Sequence, residues 1–185
     1  MKATNAIILA ILLIAASIGL RLLPHAPNVA PIGALAIFAG VYFSKRWGWA
    51  LPIAAMLASD FFLGFYDVRL MAVVYGSFLV SAGIGMLVKR RKNFENVVVG
   101  SLAGSVFFFI ATNFAVWMFS EWYPKTAYGL IASYAAGLPF FRNTVVGDLF
   151  YAGVFFGGYA LCIFLKQQLV PLAAKYPRLG FLVRI

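Results

Sequence analysis

Long apolar runs broken by short polar or charged stretches make up most of this chain. A helix needs about 20 apolar residues to cross hydrocarbon, and five runs reach or approach that length: Thr4–Leu23, Trp47–Tyr66, Leu70–Val88, Asn96–Phe119 and Thr144–Leu165. A sixth, Pro31–Ser44, holds only about 14 residues and would rise about 21 Å as a helix, so it is expected to be short, locally thinned or partly re-entrant. The stretch Thr126–Leu138 is apolar but too short to span, and is expected to lie in the interface or dip in as a lid. The pattern predicts an all-α polytopic membrane bundle of about six transmembrane helices.

Charge decides the number of crossings. If Pro31–Ser44 crosses, one side receives Lys2, Lys45, Arg46, Lys89, Arg90, Arg91, Lys92, Lys166, Lys175, Arg178 and Arg184, leaving only Arg21, Arg69, Lys125 and Arg142 of the 15 basic residues on the other. Basic residues favour the cytoplasmic face. Six crossings with both termini cytoplasmic satisfy that rule, whereas a non-crossing segment would put Lys45–Arg46 and Lys89–Lys92 on opposite faces. Residues 1–166 then form one transmembrane domain and 167–185 a basic, amphipathic tail on the cytoplasmic surface of the inner membrane.

Composition agrees. The 185 residues are 64% hydrophobic and 11% charged, with a mean hydropathy of +0.94, which makes the bilayer the expected solvent. A formal charge of +10 would suggest nucleic acid in a soluble protein. Here it sets orientation, and no nucleic-acid partner is expected. The single cysteine, Cys162, has no partner for an intrachain disulfide. The first run has Lys2 as a basic flank but no clean small-x-small cleavage site after it, and reads as a retained span.

Polar groups inside hydrocarbon are costly and call for a partner or a cavity. Asp60, Asn113 and Asp148 all fall roughly 6–9 Å below the outer ends of their spans at 1.5 Å per residue, with Arg21 and Tyr75 near the same level. Asp60, Gly64 and Asp67 share a helix face, as do Asn113 and Trp117. Two readings stand. The carboxylates pair with Arg21 or Arg142, or cap a helix, and hold the bundle together; or the group lines an outward-facing pocket. In the second, the Asn113 amide and the carboxylates fix polar edges of a ligand, Trp117 stacks on a planar ring, and Arg142 or Asn143 reaches a carboxylate tail.

The other signals narrow the chemistry. Trp117, Trp122, Tyr123, Tyr128, Tyr134, Phe140 and Phe141 crowd the outer side, as an interfacial aromatic belt or as a pocket wall. His25 stands between two prolines in the Pro24–Asn28 loop, where a metal would find only Asp or Asn as further ligands; no metal and no cofactor are expected. No Ser-His-Asp order, H-E-x-x-H, paired cysteines or phosphate-binding G-x-x-x-x-G-K-[ST] loop is present, so catalysis has little support and energy for any uptake would come from elsewhere. Small residues four apart, Ala6/Ala10, Ala15/Gly19 and Ala36/Gly40, permit close helix packing, within the bundle or against a partner.

The runs Arg21-Leu-Leu-Pro-His-Ala-Pro-Asn28, Pro31-Ile-Gly-Ala-Leu-Ala-Ile-Phe38, Asn113-Phe-Ala-Val-Trp117 and Pro139-Phe-Phe-Arg-Asn-Thr-Val-Val-Gly-Asp148 resemble a family of small bacterial membrane proteins of unknown function. That family in turn is distantly similar to the substrate-binding S components of energy-coupling factor (ECF) transporters. The resemblance implies a six-helix vitamin-capture subunit whose site opens outward beneath the first, third and fifth loops. It implies partners too, a transmembrane coupling subunit and two ATPases, with Ala6-Ile-Ile-Leu-Ala10 matching a docking motif of the first helix. No signature for biotin, thiamine, riboflavin, folate or cobalamin is present.

The expected function is therefore uptake of a small vitamin-like molecule, with Asp60, Tyr75, Asn113, Trp117, Arg142, Asn143 and Asp148 at the ligand and His25 and Asn28 in a gating loop. The alternatives are an intramembrane enzyme or proton-coupled carrier using Asp60 and Asp148, or a structural subunit of a membrane complex.

Overall fold

A computed structural model describes residues 3–175, and these form six α-helices: α1 (Ala3–Leu22), α2 (Ile32–Tyr42), α3 (Lys45–Leu63), α4 (Val68–Val88), α5 (Phe94–Phe119) and α6 (Ala127–Lys175). Short polar signals set the boundaries. Asp67 caps α4 by accepting from the backbone N–H groups of Arg69 and Leu70, and Asn93 caps α5 by accepting from that of Asn96. Gly64 ends α3 at φ 97°, a conformation a Cβ would penalise.

Four helices are long and apolar enough to cross a membrane: α1 over Asn5–Leu22, α4 over Val68–Val88, α5 over Phe94–Phe119 and α6 over Ala127–Leu169. No more than 28% of any of these segments is buried inside the protein. Ile7, Ile8, Ile11, Leu12, Phe61, Phe62, Ile110 and Phe150 are among the large side chains left outside. So much outward apolar surface suits lipid rather than water.

The short sixth run is the centre of the molecule. As a helix α2 has 11 residues, about 16 Å of rise, less than the about 21 Å expected from sequence. Ile32 through Val41 are all buried, and α2 touches every other helix. A helix apolar on all sides requires such enclosure. Glycine admits the closest neighbour: a Cβ on Gly40 would lie 2.2 Å from the Ala82 carbonyl oxygen, and one on Gly85 2.3 Å from that of Ile37. The α2 and α4 backbones therefore pack in direct contact, and Ala36/Gly40 serves internal packing.

The last third differs from expectation. Thr126–Leu138 does not form a separate lid; it opens one continuous 49-residue helix that runs through Pro139. The expected separation between this stretch and the Thr144–Leu165 run is thus absent, because a proline within a packed helix can have its lost hydrogen bond made good by neighbouring helices. The first turns of α6 run antiparallel along α5, where Ser133 Oγ donates to the Asn113 carbonyl at 2.8 Å and Tyr134 Oη to that of Ile110 at 2.9 Å. The helix also continues from Gln167 to Lys175, so the start of the expected surface tail is helical and 176–185 lie outside the described residues.

The two ends of the bundle are distinct. Lys89 Nζ donates to the Phe43 carbonyl at 3.3 Å, and Lys92 lies 5.3 Å from the Tyr42 ring centroid. The C-terminal ends of α2 and α4 thus meet, and the basic groups 45–46 and 89–92 gather at one end. Arg21, Asp60 and Tyr75 gather toward the other.

Candidate ligand site

α1 delivers Arg21 in its last turn, where the negative end of the helix dipole favours a cation. Its guanidinium reaches across to α3, pairing with Asp60 Oδ1 at 2.9 Å and donating to Ser59 Oγ and to Met56 Sδ. Ser59 Oγ in turn donates a hydrogen bond to the Ala55 carbonyl at 2.7 Å. The other oxygen of Asp60 accepts from Tyr75 Oη of α4 at 2.7 Å. Asp60 is 2% exposed, so its charge is met wholly by Arg21 and Tyr75. Three helices are clamped by one neutral ion pair.

Asp148 stands on α6 facing the N-terminus of α2. Its carboxylate accepts from Ser105 Oγ of α5 at 2.7 Å and from the backbone N–H of Ala34. α2 has no capping side chain at Pro31, and Asp148 supplies from another helix the acceptor that a local cap would have given. Gly33 makes room: a Cβ there would lie 2.1 Å from Asp148 Oδ1.

Between these two acidic centres lies a cavity of about 220 Å³, lined by residues of all six helices and of the connections that precede α2 and α4. Arg21, Asn28, Tyr66, Ser81, Thr144 and Asp148 give it polar points, and Met56, Val74, Phe78 and Phe108 apolar walls. The rings of Phe78 and Phe108 pack at 5.2 Å between centroids and 31° between planes. Tyr66 brings a phenol to the cavity from the connection that precedes α4.

The sequence-expected residues divide. Asp148 and Asn28 line this cavity. Asp60 and Tyr75 stand behind Arg21, holding it in place. Asn143 secures the rim, its Nδ2 donating to the Pro27 carbonyl at 3.0 Å and tying the Pro24–Asn28 loop to α6. Asn28 takes φ 63° in that loop. His25 is exposed beside it.

Asn113 and Trp117 are not brought to the cavity. Asn113 Nδ2 donates to the Phe109 carbonyl at 2.8 Å, and its oxygen would lie 2.3 Å from a Cβ on Gly137, so the amide is packed between α5 and α6. Trp117 Nε1 donates to the Pro124 carbonyl at 3.0 Å, and its ring packs on Phe114. Arg142 is exposed. Ala6 and Ala10 sit elsewhere again, in a groove with Tyr42, Phe43, Trp47 and Leu51 near the opposite end.

The residues that sequence reasoning missed follow helical spacing. Val74, Phe78 and Ser81 fall at i, i+4, i+7, Gly104 and Phe108 at i, i+4, and Thr144 lies four residues before the expected Asp148. Each set is one stripe of a helix turned inward. The polar member of the stripe, rather than its depth, was the signal available. Among the described residues no cluster of three or more His, Cys, Asp or Glu suited to a metal is present.

The chain belongs to a family of unknown function, DUF6580, whose model matches residues 1–173. No curated protein and no solved structure matches it.

Proposed function

We propose that this member of the family is a substrate-binding membrane subunit that captures a small, vitamin-like molecule in the cavity at the head of α2 and serves its uptake. The observation that carries the reading is the cavity itself: about 220 Å³, aromatic and aliphatic walls, and the side chains of Arg21, Asn28, Tyr66, Thr144 and Asp148 converging on it. Ligand sites combine an apolar lining with a few placed polar groups in this way.

The reading includes six crossings of the inner membrane with both termini cytoplasmic. In its support, Lys45, Arg46 and Lys89–Lys92 collect at the end opposite the cavity, as the positive-inside rule expects of a cytoplasmic end. The cavity then opens outward beneath the Pro24–Asn28 loop. In this reading energy comes from a partner, as an ECF-like arrangement would have it, and the sequence offers no phosphate-binding G-x-x-x-x-G-K-[ST] loop of its own. A cavity bounded by both polar and apolar side chains favours ligand capture over a purely structural subunit.

Native mass spectrometry of gently purified protein tests the proposal. A reproducible small molecule bound one per chain, released by substitutions at Phe78 or Phe108, is expected. A reproducible absence of any such molecule, together with no associated coupling subunit, would sink it.

A second reading, a proton-coupled carrier, draws support from one feature: Asp148 is 6% exposed and has no cationic side chain within 4.0 Å among the described residues. Asp60, neutralised by Arg21, no longer suits that role. If Asp148→Asn binds ligand as the parent does but loses proton-linked flux, the carrier reading replaces the first.

A further inference from the structure

The cavity is electrically unbalanced. Of the five acidic residues in the chain, Asp60 and Asp148 are the two beside it. Asp60 is matched by Arg21 at 2.9 Å. Arg69 and Asp67 pair with each other at the surface, and neither lines the cavity. Asp148 is left with two neutral donors, the Ser105 hydroxyl and the Ala34 amide, while a carboxylate offers about four acceptor positions.

The positive end of the α2 dipole offsets part of a charge at best. A buried carboxylate in a membrane interior ordinarily finds a cation or faces an aqueous space. Asp148 faces the cavity, and the rings of Phe78 and Phe108 line it too. Aromatic faces attract cations through their quadrupoles and repel anions. A carboxylate and two phenyl rings therefore ask for the same complement.

We infer that the ligand is a small organic cation, a protonated amine on an aromatic or apolar body, with its ammonium against Asp148 and its body against the wall formed by Phe78, Phe108 and Met56. The inference rests on the cavity being a ligand site and adds the charge of what enters it. Asn28 and Thr144 at the same cavity supply further acceptors for ammonium N–H groups. Arg21, held in a neutral pair with Asp60, closes the opposite wall and disfavours a second positive charge there.

Three probes of one shape and different charge provide the test: benzylammonium, benzyl alcohol and benzoate, titrated by calorimetry against the full-length protein in detergent at neutral pH. Benzylammonium is expected to bind at least tenfold more tightly than either of the others, and Asp148→Asn, which keeps an oxygen for Ser105 and Ala34, to abolish the preference. Should that variant fail to fold, the order of the three probes on the parent protein decides alone. Added phosphatidylethanolamine that displaces benzylammonium would identify a lipid headgroup as the source of the amine. Without displacement, the source is a soluble amine.

Equal binding of benzyl alcohol, or tighter binding of benzoate, overturns the cationic ligand and leaves the binding function intact. Where none of the probes binds, the co-purifying molecule decides: one bearing a protonated amine upholds the inference, and one without it refutes the inference alone. If neither probe nor co-purifying molecule is found, the binding function fails along with it.

Discussion

The carboxylate of Asp148 occupies the space that a side chain at position 33 would need, with Oδ1 2.1 Å from where a Cβ on Gly33 would stand. This one contact joins α6 to the head of α2 and fixes the carboxylate at the cavity wall. Gly33→Ala is expected to force Asp148 aside, at a cost of about 1–3 kcal/mol for overpacking. Thermal unfolding in detergent should fall accordingly, and ligand binding should weaken more than the lost stability explains. Parent-like values for both would remove Asp148 from its assigned position.

Arg21 and Asp60 form the buried pair that the sequence offered as a bare structural possibility. Removing one partner strands a charge, so Arg21→Met or Asp60→Leu alone is expected to destabilise by about 3–5 kcal/mol. The double variant should recover most of the loss, because two apolar groups replace a desolvated pair. A double-mutant cycle on unfolding midpoints measures the coupling. Additive losses would mean that the two side chains act independently.

Trp117 and Asn143 should part company. Trp117 is engaged with Pro124 and Phe114, so Trp117→Phe is expected to leave ligand affinity within about twofold while losing one hydrogen bond worth about 1 kcal/mol. Asn143→Ala cuts the bond to the Pro27 carbonyl, freeing the loop that carries Asn28. Dissociation should quicken several-fold with little change in unfolding temperature. Stopped-flow release of the bound molecule distinguishes these outcomes, and a Trp117 effect on release equal to that of Asn143 would restore the stacking wall to the site.

Asp67 gives a pH signature outside the membrane. Its hydrogen bond from the Arg69 side chain, with smaller help from the Leu70 and Arg69 amides, lowers its carboxyl from 3.8 to about 2. A folded-state value below the unfolded one adds stability that is complete above the ordinary carboxylate range and disappears as pH falls through about 2. Asp67→Asn keeps the cap acceptor and removes the titration. Between pH 4 and pH 2 the parent should lose more unfolding temperature than this variant, a difference that other titrating carboxylates cancel out of. Parallel curves for the two proteins would dismiss the effect.

Much of this was legible in one dimension. Hydropathy locates helices along the chain, and charge tells their ends apart, so Arg21, Asp60 and Tyr75 were placed at one level and are found in one hydrogen-bonded cluster. Depth alone does not give the angle around a helix axis. Asn113 shares the level of Asp60, but its stripe faces the small surface of α6 at Gly137 rather than the cavity. The separation expected between Thr126–Leu138 and Thr144–Leu165 failed for a similar reason: local sequence does not reveal whether neighbouring helices will carry one helix across Pro139.

The enclosure of α2 also bears on how the protein is made. A segment of 11 residues, about 16 Å long, is too short to partition into a bilayer by its own hydropathy, yet it ends surrounded by helices that lie later in the chain. Its burial must wait until α4, α5 and α6 have been synthesised. The core is therefore the last part of the fold to close, around a segment that has already left the ribosome.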